Sequence, residues 1–140
     1  MIVSTKGRYA LRVMVHFARH GGGEYIPLKE IAEAEGMVLC HENERGIYGD
    51  NADRCLELLK EFDGRLGCVF DPANFIQCGQ DTWEAWQMLK PYVKYLHIKD
   101  AVGDGTVVPA GMGVGNVPDI VRDYLARGGE VMTLEPHLFD

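Results

Sequence analysis

Two spacings of apolar residues divide the chain. Up to about residue 36 they recur at helical period, with Tyr9, Val13 and Phe17 four apart beside Ala10 and Met14. This predicts a helix from a cap at Ser4 or Thr5 to about His20, ended by Gly21-Gly-Gly23. Glu24-Tyr-Ile26 reads as a short extended piece, and Pro27 opens a second helix, Leu28 to Glu35, closed by Gly36. From Met37 onward the apolar positions gather into short continuous runs instead, each stopping at a side chain able to bind a cation or move a proton. The run from Met37 stops at Glu42, that from Gly67 at Asp71, that from Tyr95 at His97 and that from Val131 at Glu135. Pro72 and Pro136 then forbid further ladder pairing, as expected where a buried strand meets its loop.

Amphipathic stretches separate these runs. Asp50 is placed to cap a helix from Asn51 to Phe62, with Cys55, Leu56, Leu58, Leu59 and Phe62 apolar. Thr82 is placed to cap a second, with Trp83, Trp86 and Leu89 facing inward, and Asn116 a third, with Ile120, Val121, Tyr124 and Leu125 as its buried stripe. The strand ends lie 29, 26 and 38 residues apart. A parallel barrel of about 250 residues spends roughly 30 on each strand, loop and helix, so each interval is one βα unit. Right-handed crossovers make the four strands parallel and bring their carboxyl ends to one rim. The fold predicted is α/β, a half TIM barrel of four parallel strands behind a short two-helix segment. Glu42, Asp71, His97 and Glu135 converging on that rim make a site of hard oxygen donors and one imidazole, suited to manganese, magnesium, cobalt or zinc.

Composition narrows the classes. At 140 residues the chain has room for one good core and none for an eight-stranded barrel. No run approaches the roughly 18 apolar residues of a membrane span, and the N-terminus lacks a signal-peptide core, which reads as cytoplasmic. The net charge of −7 is uneven: residues 1–36 hold five Lys or Arg against four Glu, the remainder nine against seventeen acids. A nucleic-acid partner is disfavoured for the larger part. Cys40, Cys55, Cys68 and Cys78 form no CxxC pair and read as reduced core thiols.

Met1-Ile-Val-Ser-Thr-Lys-Gly-Arg-Tyr-Ala-Leu-Arg-Val-Met14, followed by Tyr25-Ile-Pro-Leu-Lys-Glu-Ile-Ala-Glu33, resembles the N-terminus of the winged helix-turn-helix repressors of iron-sulfur cluster assembly and cysteine metabolism. In that family a base-reading helix follows the second helix; here Met37-Val-Leu-Cys40 begins a strand in its place. The resemblance implies ancestry for a truncated segment, residues 1–36, and not DNA binding; Lys6, Arg8 and Arg12 could touch phosphate but read first as a solvated helix face.

A second resemblance covers residues 37–140. His41-Glu-Asn-Glu-Arg-Gly-Ile-Tyr-Gly-Asp50, Phe70-Asp-Pro-Ala-Asn-Phe75, Leu96-His-Ile-Lys-Asp100, Val108-Pro-Ala-Gly-x-Gly-x-Gly115 and Leu134-Glu-Pro136 resemble, in order, the sugar phosphate isomerase/epimerase family with its xylose-isomerase-like barrel. The motifs match that barrel's second half. The resemblance implies Glu42, Asp71, His97 and Glu135 as ligands of one divalent metal, with Glu42 and Glu135 also exchanging the proton alpha to a substrate carbonyl through an enediolate. It implies Asn74, Lys99 and Asp100 as contacts to a sugar or sugar phosphate, His41 and His137 as supports of the ligands, and Gly111-Met-Gly-Val-Gly115 as a loop whose amides meet an anion. Pairing of two copies, edge to edge, would complete the barrel. Two other readings stay open: a DNA-binding regulator acting through residues 1–36, and a chimeric fragment with neither activity.

Overall fold

The computed structural model of the chain describes residues 5–23 and 25–136. They form two compact units, Met1–Leu39 and Cys40–Asp140. The first holds helices α1 (Thr5–His20) and α2 (Leu28–Ala34), close to the spans that the periodicity predicts. Within it the Arg12 guanidinium and the His16 ring both engage Glu35, so Arg12 is already ion-paired. Ser4, the alternative cap of α1, and His137 lie outside the described residues, as do the side chains of Lys6 and Arg8.

The second unit contains the four parallel strands expected from the sequence: β1 (Cys40–Glu42), β2 (Gly67–Phe70), β3 (Val93–Ile98) and β6 (Met132–Leu134), hydrogen-bonded in the order β1-β2-β3-β6. Helices α3 (Ala52–Glu61), α5 (Thr82–Leu89) and α6 (Val117–Ala126) connect them in turn. One sheet face gives Cys68, Phe70 and Leu96 to a core shared with Cys55 and Leu59 of α3, Trp86 and Leu89 of α5, and Ile120 and Tyr124 of α6. Phe70, Trp86 and Tyr124 stack edge to face, with centroids 5.2 and 6.4 Å apart, and the Trp86 indole donates to Asp123 at 2.8 Å. Each such large side chain stabilises the fold by about 1.5–3 kcal/mol on burial. Strand side chains alternate, so Val69, Tyr95, His97 and Thr133 face the opposite side.

Two helix starts differ from the sequence reading, and a third keeps its cap position without the capping hydrogen bond, each for a local reason. Asn51, in extended conformation, caps α3 by accepting the Arg54 N–H at 3.0 Å, while Asp50 is drawn to the Arg54 guanidinium at 2.8 Å. Asp81 caps α5 by accepting from Glu84, so Thr82 becomes its first helical residue. Asn116 sits in the left-handed region at φ 52° without capping α6; its amide donates to the Thr82 hydroxyl at 2.9 Å instead. Trp83 and Leu125, read as inward, are substantially exposed, because Trp86 and Tyr124 already fill the core at those levels.

Two further elements were not anticipated. Helix α4 (Pro72–Gln77) starts directly at the end of β2, with Pro72 at a first-turn position that needs no N–H. An antiparallel pair, β4 (Asp100–Ala101) with β5 (Val107–Val108), follows β3 and reverses through Gly103-Asp-Gly105. Among the described residues, no helix is long and apolar enough to cross a membrane.

All four cysteines are free thiols. Burial pushes the Cys55 thiol up to about 12 and Cys68 well above its ordinary value, and raises half-buried Cys40 and Cys78 as well. The thiolate is the reactive form, so a raised pKa slows attack. With a chromogenic disulfide reagent at pH 8, Cys55 and Cys68 should stay silent in the native chain, and all four thiols should titrate in denaturant. Rapid native reaction of either buried thiol would contradict this core.

Candidate metal centre

The site is built where the strands run out of ladder. β2 carries its apolar run to Phe70, and Asp71 follows in extended conformation as the N-cap of α4. Its Oδ1 accepts the Asn74 N–H at 3.1 Å, while Oδ2 is buried with no hydrogen-bond partner. Parallel pairing sets His97 beside Thr133 on β6 and places Glu42 and Glu135 at the ends of the two edge strands. One donor atom from each of Glu42, Asp71, His97 and Glu135 lies within 4.8 Å of the others.

The internal geometry of this group matters more than its proximity. His97 Nδ1 stands 3.0 Å from a Glu42 oxygen, 3.6 Å from Asp71 Oδ2 and 3.6 Å from a Glu135 oxygen. None of these approaches is aligned as a hydrogen bond, and Nδ1 remains buried without one. Three carboxylates thus crowd one ring nitrogen, with a donor atom of each of the four residues within 4.8 Å of the others. That fits a cation with oxygen donors and one imidazole, and it is an expensive arrangement for buried charges otherwise.

Charge balance agrees. Burial by itself lowers the His97 pKa, but Asp71, Glu42 and Glu135 reverse the effect and hold it at about 9, so the metal-free ring carries a proton at neutral pH. The Lys99 ammonium lies 3.6 Å from Asp71 Oδ2 and donates to Asn74 Oδ1 at 2.8 Å. Formally, three carboxylates, imidazolium and ammonium leave one negative charge. Exchange of the imidazolium proton for a divalent cation brings the cluster to neutrality.

Its supports include one residue that sequence reasoning passed over. Asn43 is fully buried; its side-chain amide accepts the Asp71 N–H at 2.9 Å and donates to the Asp71 carbonyl at 3.0 Å. The Asn43 carbonyl accepts from the Asn74 side chain at 2.9 Å. This two-point clamp ties the loop after β1 to the end of β2 and fixes the Asp71 backbone. A signal was present: an amide placed immediately after a strand end, without a glycine to make it a turn. On β3, the Tyr95 ring packs edge-on against His97 at 5.1 Å and its hydroxyl bonds to Thr133, which fixes the imidazole plane.

The other expected site residues divide. Asn74 and Lys99 stand beside the cluster, both largely buried. Asp100 turns away: its carboxylate accepts N–H groups from Ala101, Gly111, Gly113 and Gly115 at 2.9–3.0 Å. The glycine loop read as an anion cradle thus spends its amides on an internal carboxylate. His41 also points elsewhere, to the Gly49 carbonyl at 3.3 Å. A cavity of about 300 Å³ lined by Lys90, Lys94, Tyr124 and Arg127 opens at the amino-terminal ends of β3 and β6, away from the cluster.

Four parallel strands, helices on one face and a carboxylate-imidazole rim at the strand ends define an α/β partial barrel. The xylose isomerase-like TIM barrel family matches residues 27–137, and the chain belongs to that family. Its match begins within the first compact unit, at Pro27. The probable 3-DHS dehydratase AsbF of Bacillus anthracis is similar over 94% of this chain and 51% of its own, at 19% identity and TM-score 0.64. A xylose isomerase domain protein from Planctomyces limnophilus is similar over 95% and 46%, at 24% identity and TM-score 0.65. The 3-keto-D-glucoside 4-epimerase YcjR of E. coli is similar over 81% and 43%, at 14% identity and TM-score 0.59. These likenesses show the fold, and the chain spans about half the length of each structure. No curated protein matches.

Proposed function

We propose that this chain carries the metal-binding half of a sugar or sugar phosphate isomerase/epimerase, with Glu42, Asp71, His97 and Glu135 holding one divalent cation. One observation carries the reading: four donor atoms within 4.8 Å of one another, two of them buried without a hydrogen bond. When bound, manganese, magnesium, cobalt or zinc would polarise the substrate carbonyl and its neighbouring hydroxyl.

The chain's own residues supply the rest. Glu42 and Glu135 end the two outer strands, so their carboxylates reach the rim from opposite sides. One removes the proton alpha to the carbonyl, and the other returns a proton at the same or the adjacent carbon. Asp71, clamped by Asn43 and capped onto α4, is too constrained to shuttle protons and acts as a fixed anion. Lys99, held by Asn74 and 3.6 Å from Asp71 Oδ2, faces negative charge developing on a substrate oxygen. Asp100 serves the loop instead of the substrate.

For residues 1–36 the reading is a segment descended from a winged helix-turn-helix regulator that lost its base-reading helix. Its support is the N-terminal motif and the engagement of Arg12 by Glu35, which leaves that guanidinium committed.

Proton exchange can be read without knowing the final product. The manganese-loaded chain, incubated with a panel of ketoses and ketose phosphates in D2O, should wash deuterium into the carbon next to the carbonyl, as seen by NMR. Chelation should stop it. Absence of exchange across the panel, with manganese demonstrably bound, would refute the isomerase/epimerase chemistry.

A further inference from the structure

Asp71 has one oxygen left to offer. Asn43 holds its N–H and its carbonyl, and the Asn74 N–H holds Oδ1, so Oδ2 alone of its polar groups lacks a hydrogen bond. The ladder between β1 and β2 reaches Glu42, beside Val69, and goes no further. Beyond it the Asn43 side chain supplies to Asp71 the donor and acceptor that another residue of β1 would have given. The chain can therefore turn away directly after one expected ligand while gripping another. Asn74 closes the circuit: Nδ2 donates to the Asn43 carbonyl and Oδ1 accepts from Lys99, so both ends of its amide are engaged within the protein.

We propose that Asn43 and Asn74 are positioning residues, which hold Asp71 Oδ2 in the cluster and set its place relative to Glu42 and Lys99 with or without a cation. A buried carboxylate oxygen without a hydrogen bond turns toward a donor where its surroundings allow it. The bonds on the Asp71 N–H, carbonyl and Oδ1 do not allow it, and these two amides also tie together the ends of β1 and β2 and the residue after β3. Such support fixes ligand geometry without touching the metal. Asn74 belongs on this account to the frame of the site rather than to its substrate contacts. The inference rests on the reading that Glu42, Asp71, His97 and Glu135 hold a divalent cation, and the two can fail separately.

Cobalt is the probe, because its visible absorption reports the geometry of its ligands as well as its binding. Asn43→Ala and Asn74→Ala should each weaken cobalt binding roughly 10–100-fold and shift the visible bands at saturation. Leu89→Val, in the core at the end of α5 that leads into β3, should lower the urea midpoint and leave affinity and bands at wild-type values. Wild-type affinity and bands in both asparagine variants overturn the positioning role and leave the metal reading standing. Equal losses in Leu89→Val reduce the effect to general stability and overturn it as well, and a wild-type chain that binds no cobalt removes both readings. Hydrogen exchange needs no variant: the Asp71 amide of the wild-type chain should be as protected without cobalt as with it. Protection that arises only on adding cobalt would mean that the cation, not Asn43, organises Asp71, and would overturn the proposal.

Discussion

Asp71→Ala should abolish divalent-cation binding. The wild-type chain is expected to take up about one manganese ion per chain, and the variant none at concentrations that saturate the wild type. The size of the effect follows from what each oxygen does. Oδ2 is the buried oxygen without a hydrogen bond, facing His97 and Lys99 at 3.6 Å, and its loss removes both a ligand and one of three negative charges. Residues that merely orient ligands typically change metal affinity 10–100-fold, so removing a ligand should exceed about 100-fold. Oδ1 complicates the reading, because it caps α4 through Asn74 and a lost cap costs about 1 kcal/mol of stability. Asp71→Asn separates the two roles: its amide oxygen can still accept the Asn74 N–H, while the anionic ligand is gone. Calorimetric titration should find manganese binding lost in both variants, and urea denaturation should find the Asn variant closer to wild type. Unchanged stoichiometry and affinity in both would remove Asp71 from the metal centre.

Much of this centre was legible in the sequence because its spacing follows from architecture. A strand, helix and two loops consume a narrow range of residues, so acids and a histidine at successive strand ends must meet on one rim. The sheet order β1-β2-β3-β6 and the meeting of Glu42, Asp71, His97 and Glu135 follow from that regularity. What escaped the reading depends on local competition between polar side chains. Asp50 and Asn51 are both good caps, and the choice was made by Arg54, which attracts the carboxylate and leaves the amide at the helix start. Asp81 and Thr82 divide in the same way, with Asn116 recruiting the threonine hydroxyl from 34 residues along the chain. Asn43 was passed over for a related reason: its position just after a strand end hinted at a role, but an amide gripping the backbone of a residue 28 positions away leaves no periodicity that names its partner. Asp100 shows the opposite failure. A motif position that looks chemical can be structural when neighbouring glycines present their amides to it.

That structural role sets the second large effect. Asp100 is 1% exposed, and its two oxygens accept four backbone N–H groups, two each. Replacing it by alanine leaves several buried donors unsatisfied at about 1–3 kcal/mol apiece, so Asp100→Ala should cost about 3 kcal/mol or more. Asp100→Asn cannot rescue it fully, because one of its two head atoms would present N–H to N–H. The glycines are the other half of the device: a Cβ at Gly113 would overlap the Ala101 carbonyl and the Asp100 carboxylate, and one at Gly115 would come within 3.2 Å of Pro72. Pro72 is the first residue of α4 and follows Asp71 directly, so a collapsed loop should be felt at the cluster. Asp100→Ala and Gly113→Ala are therefore expected to lower the urea midpoint and to weaken manganese binding together, although neither residue is a ligand. If Asp100→Ala left both quantities at wild-type values, the four-amide latch would be irrelevant to the site. If it lowered stability alone, the route through Pro72 to Asp71 would be wrong.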